Sequence, residues 1–108
     1  MTTLAGRIVD EQANEVMAQM DLENLISQMA AIVDSKIEPA TYRGGSIVYQ
    51  PSIENPGDWE VVVVTRLVIS RQERFDLSLR IGEALNRTTT TDSRDTNWNR
   101  VAFRLELA

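Results

Sequence analysis

The side chains of this chain that could do chemistry are sixteen carboxylates, eleven bases and two tyrosines; histidine and cysteine are absent. Without histidine, the usual neutral-pH proton shuttle and commonest metal ligand are missing. Without cysteine there is no disulfide, thiolate nucleophile or sulfur-ligated metal. Catalysis would have to rest on carboxylates, lysine or tyrosine. The nearest acid pairs are Asp10-Glu11 and Asp21-x-Glu23. Neither sets two carboxylates four residues apart on one helix face, so both read as surface charge. Gly44-Gly45 is a lone pair that reads as a bend before a strand, with no phosphate loop around it. Tyr42-Arg43-Gly44-Gly45 contains one Arg-Gly-Gly, whereas RNA-binding segments of that type are repeated and basic. The residues therefore predict no catalytic centre, no metal site and no cofactor.

Charge points the same way. The formal net charge is −5. Residues 1–40 hold seven acids (Asp10, Glu11, Glu15, Asp21, Glu23, Asp34, Glu38) against Arg7 and Lys36, while residues 41–108 hold nine acids and nine bases. An acidic chain without a basic cluster is poorly suited to binding nucleic acid through phosphates. Ten of the eleven bases are arginine, whose planar fork suits interfaces better than the hydrated lysine head. No stretch approaches the roughly 18 apolar residues of a membrane span. The N-terminus lacks the features of a signal peptide, so a soluble chain, cytoplasmic at synthesis, is expected.

The elements that would carry these residues follow from periodicity. The chain length fits one domain over 1–108, with a helical segment 1–38 and a sheet region 40–108. Leu4, Ile8, Val9, Ala13, Val16, Met17 and Met20 recur at helical spacing, as do Leu22, Leu25, Ile26, Met29, Ile32 and Val33. Residues 4–36 thus read as one kinked helix or two short ones, with Asp21 as N-cap of the second and Pro39 closing the segment. Met17, Met20 and Met29 suit a core or an adaptable contact face. Strands are expected at 46–50, at 59–69 and at 98–107, the first two separated by a turn with Pro51 and Pro56-Gly57. Ser70 and Glu73 form a capping box that opens a helix over 71–87 packed on the sheet. Asp76→Arg80 and Glu83→Arg87 pairs on that helix would add about 0.3 kcal/mol each. Residues 88–97 form a long polar loop that reads as a partner-contacting segment. The expected class is α+β in the order α-β-β-α-β, with a small, mostly antiparallel sheet.

The strand 59–69 carries the functional argument. Trp59, Val61, Val63, Thr65, Leu67 and Ile69 alternate with Glu60, Val62, Val64, Arg66 and Val68. Three valines on the second face are more than a solvated sheet face needs. Either a second layer or another subunit is expected to cover them. The interface residues expected are Trp59, Val62, Val64, Arg66 and Val68, together with Arg100 and Arg104 on the outer face of the last strand. Trp59 and Trp98 both read as opening strands, and tryptophan is a frequent interface anchor.

The element order resembles that of bacteriophage tail terminator (tail completion) proteins, small α+β chains with an N-terminal helix, a strand meander, a helix on the sheet and a final strand. The segments that carry the resemblance are the helix to about Lys36, the strands 46–50 and 59–69, the capped helix from Ser70, and Trp98–Leu107. This resemblance implies a homo-oligomeric ring, typically a hexamer, that caps the tail tube and joins it to the neck or connector proteins of a virion. From composition, no membrane and no sequence-specific nucleic acid is expected as partner. The competing expectation is a small acidic inhibitor or immunity-type protein that covers a basic site on an enzyme.

Overall fold

The computed structural model describes residues 2–52, 54–91, 98 and 100–108. The N-terminal periodicity misleads at its start, because Leu4, Ile8 and Val9 lie in strands. β1 (Thr3–Leu4) and β2 (Arg7–Val9) form a tight antiparallel hairpin with Leu4 opposite Arg7. Ala5 and Gly6 take φ of 53° and 77°, the doubly left-handed backbone of a two-residue hairpin turn. Asp10 then caps α1 (Glu11–Gln19) by accepting from the Gln12 amide at 3.2 Å. Met20 and Asp21 turn the chain into α2 (Glu23–Ser35). Asp21 has φ of 55° and does not cap; Leu22 stands at the cap position with no side-chain bond. Asp is among the few residues that enter the left-handed region readily. Two helices therefore form where one kinked helix was the alternative.

β3 (Tyr42–Pro51) starts four residues earlier than the sequence suggests, so Gly44 and Gly45 lie inside a strand. It pairs antiparallel with β4 (Trp59–Leu67) through the turn around Pro56-Gly57, closed by the Ser52 amide on the Asp58 carbonyl at 2.8 Å. The capping box forms in both directions: Glu73 N–H donates to Ser70 Oγ at 3.1 Å, and Ser70 N–H to Glu73 Oε1 at 3.3 Å. It opens α3 (Arg71–Thr91), which runs through the threonines expected to begin a loop. Residues 92–97 of that segment lie outside the described residues. On α3, Asp76 accepts from Gln72 Nε2 at 3.2 Å. Trp98 precedes the last strand instead of opening it, and β5 spans Val101–Leu107.

The order is thus β-β-α-α-β-β-α-β, which corrects α-β-β-α-β while the α+β class stands. The sheet order is β1-β2-β3-β4-β5, with β2–β3 and β4–β5 parallel and the other two pairings antiparallel. The sheet is mixed, not mostly antiparallel. Each parallel pairing requires a helical crossover, which α1–α2 and α3 supply.

One face of the sheet carries the core. Ile47, Val61, Val63, Leu67, Val101 and Leu105 pack against Ala13, Met17, Leu25, Ile26, Met29 and Val33 of the helix pair, and Leu77, Ile81 and Leu85 of α3 complete it. Met17 and Met29 are buried there, so they fill the core and offer no contact face. Arg7 is also buried on this side. Its guanidinium forks onto Asp34 (Nη2–Oδ1 2.7 Å, Nη1–Oδ2 3.4 Å), donates to Thr65 Oγ1 from Nη2 at 2.7 Å, and lies 5.8 Å from the Tyr42 ring centre.

Candidate interaction surface

Among the described residues, no helix lies on the opposite face of β4. Val62 lies between Val48 and Ala102, and Val64 between Ser46 and Arg104. Neither valine belongs to the core cluster, yet each is only 2% exposed. Neighbours from the same sheet cover them. Arg104 on β5 reaches across β4 to Gln50 Oε1 on β3 at 3.3 Å, and its Nη2 pairs with Glu106 at 2.9 Å. Arg66 meets the other oxygen of Glu106 at 3.6 Å. A long arginine stem shields apolar surface while its head stays polar. The expectation that a second layer or another subunit must cover these valines is therefore corrected: the single chain already buries both, with Arg104 reaching across β4.

Glu60 opens the same face, opposite Gln50. Burial pushes its carboxyl above the ordinary 4.5, Glu54 adds repulsion, and a hydrogen bond from Ser52 opposes both. The folded state thus holds the Glu60 proton more tightly than the unfolded chain does. Stability from this group is full below the unfolded value and is lost as pH rises through the folded one. Glu60→Gln is expected to raise the urea midpoint at pH 7 and to leave it unchanged well below pH 4.5. An equal gain at both pH values would contradict the burial of this carboxyl.

The remaining expected interface residues scatter. Trp59 is about half exposed and stacks on Tyr49, ring centres 5.1 Å apart at 33°. Val68 follows β4 and is also half exposed; its amide donates to the Thr41 carbonyl at 2.8 Å. Arg66 and Arg100 are exposed. Trp98 is half-buried against the core, and no described residue accepts from its buried Nε1. Trp59 and Trp98 therefore stand apart in role, one outward and one packed. Among the described residues, no group of three or more acids could hold a metal ion, and no helix is long and apolar enough to cross a membrane.

Two apolar residues of α3, a helix expected to pack on the sheet, stand outside the core. Phe75 and Leu79 are 59% and 55% exposed. The spacing contains the signal: Leu77, Ile81 and Leu85 repeat every four residues on one line of α3, and Phe75 and Leu79 repeat on another. A single wide apolar arc merges these two lines; counted separately, they separate a core stripe from an outward one. Phe75 and Ser78 border a groove with Phe103 and Leu105 of β5, whereas Glu73, Leu77 and Arg80 border Lys36 and Glu38 beyond α2. Phe75 on the outward flank of α3 thus turns toward the rim of the sheet at β5. Comparison with family models, with curated proteins and with solved structures finds no match to this chain.

Proposed function

We propose that this chain is a structural subunit that works by assembling with copies of itself, in the setting of a phage-like tail or neck. The observation that carries the proposal is the outward apolar surface of a chain with a one-sided core. Ile8, Trp59, Val68, Phe75 and Leu79 are each about half exposed, and Phe75 and Leu79 adjoin on one helix. Adjoining apolar residues such as Phe75 and Leu79 mark a contact site, whereas the singly exposed Ile8, Trp59 and Val68 are ordinary. The uneven charge supports the same reading. Glu11, Glu15, Asp21 and Glu23 are exposed on the helix pair, while Arg66 and Arg100 are exposed on the sheet side. The β1–β2 hairpin changes the element order on which the tail terminator resemblance rests. The proposal therefore rests on these surfaces and leaves the copy number to measurement.

Light scattering on the purified chain, across a range of concentrations, is expected to give a discrete mass of several copies. The exposed acids of α1 and α2 also favour the acidic inhibitor as a second reading, because Arg7 is buried and leaves Lys36 as the one exposed base of residues 1–40. That reading expects a monomer at every concentration, and a monomer would end the assembly proposal.

A further inference from the structure

We infer that β5 is the seam at which two copies join, by antiparallel pairing of β5 with β5 of a second copy around Leu105. This inference rests on the assembly reading and names its contact. The sheet ends differently on its two sides. β1 is two residues long, and a short edge offers little to pair with. β5 is seven residues long, free of Pro, Gly and Lys, and in unbroken register with β4 from Val61↔Val101 to Leu67↔Leu107. Bulges, prolines and edge lysines are the usual protections of an exposed strand, and this one has none of them.

The direction of its hydrogen bonds can be read from one contact. The Ala108 amide donates to the Leu67 carbonyl at 2.9 Å, so alternate residues Ala102, Arg104 and Glu106 turn their backbone groups toward β4. Val101, Phe103, Leu105 and Leu107 turn theirs to the open side, where no described strand pairs with them. A two-fold axis at Leu105 sets Leu105 against its own copy and Phe103 against the copy's Leu107. Every outward amide and carbonyl from Phe103 to Leu107 then finds a partner.

The same register selects the occupant. On the outer face it places Arg104 opposite Glu106 of the second copy, and Glu106 opposite Arg104, so opposite charges meet twice. Centring the axis one residue earlier would set Arg104 against Arg104, which cross-strand repulsion disfavours. On the helix side, Phe75 borders the groove beside Phe103 and Leu105, and the exposed Leu79 stands one turn further along α3, in position to meet the partner helix. The strand is therefore complementary to itself in backbone, charge and apolar contact, as a two-fold interface demands. Such pairing makes the copy number even.

Three variants of the full chain test this by sedimentation velocity, with circular dichroism as a check on folding. Phe75→Glu with Leu79→Glu changes two exposed side chains and is expected to weaken pairing on the order of 100-fold. Arg104→Glu alone is expected to weaken it, because two glutamates then face each other at both ends. Adding Glu106→Arg to Arg104→Glu restores opposite charges between copies and between positions 104 and 106 of one copy, at the loss of the exposed Arg66–Glu106 pair, and is expected to restore the wild-type mass. A wild-type oligomer that keeps its mass in the first two variants overturns the seam and leaves assembly standing. An odd copy number also overturns it. A monomeric wild type ends both.

Discussion

Arg7→Ala is expected to cost about 3–5 kcal/mol of stability, the range seen when one partner of a buried ion pair is removed. The Arg7 side chain is fully buried, and its donors are shared among Asp34 on α2, Thr65 on β4 and the Ala5 carbonyl in the hairpin turn, the last at 3.2 Å from Nη1. Alanine leaves the buried Thr65 hydroxyl without these donors and opens a cavity where the stem lay. Asp34 is 42% exposed and can turn to water, which favours the lower end of the range. Arg7→Met combined with Thr65→Val replaces the polar contacts with apolar groups of similar shape and is expected to recover much of the loss. Urea midpoints for the three proteins decide the matter. A single Arg7→Ala variant within about 1 kcal/mol of wild type would show that the fork is no tie between hairpin, helix and sheet.

This tie explains which parts of the fold were legible in the sequence. Val61, Val63, Leu77, Ile81, Val101 and Leu105 alternate or repeat on one face, and all six lie in the core as their periods imply. The capping box at Ser70 is a local signal whose two bonds join residues three apart, so the sequence alone displays it. Arg7 gave no such signal. An arginine near an acidic N-terminus counts as surface charge until the fold brings Asp34 and Thr65, 27 and 58 residues away, to its donors. The hairpin around it was hidden for a related reason. Leu4, Ile8 and Val9 match a helical period by spacing, and only the Ala5-Gly6 turn and the pairing of Val9 beside Ile47 make them strands. Long-range pairing overrode local periodicity there.

The surface was legible in part. Valines on both faces of β4 were visible in the sequence, but their cover was not, because Arg104 lies 40 residues beyond Val64 and becomes its neighbour only through the parallel pairing of β4 with β5. A parallel pair needs a crossover, and its register cannot be read from a turn as a hairpin's can. The outward line of Phe75 and Leu79 was available in the spacing of α3. What hid it was the expectation that the helix over 71–87 packs on the sheet as a unit.

Gly45→Ala is expected to destabilise by about 3 kcal/mol, near the top of the usual range for overpacking. The sequence presents Gly44-Gly45 as a bend, yet both residues lie within β3, where the register with β4 shifts between Tyr42 and Gly45. At Gly44, φ is 101° and an added methyl would meet nothing within 4 Å, so backbone conformation is what demands glycine there. At Gly45 the demand is space. A methyl would collide with the Val64 carbonyl oxygen and press on Arg7 Cγ at 3.2 Å. The first obstacle is backbone of β4, an interior strand, and cannot swing aside; the second is the stem of the arginine that ties the hairpin to the sheet. Relief would require β3 to lift from β4, and that movement disturbs the packing of Gly45 on the Arg7 stem and so the same node. Gly45→Ala and Arg7→Ala should therefore fail to add, because each already damages what the other removes. A double variant whose loss equals the sum of the two single losses would show that Gly45 and Arg7 act separately.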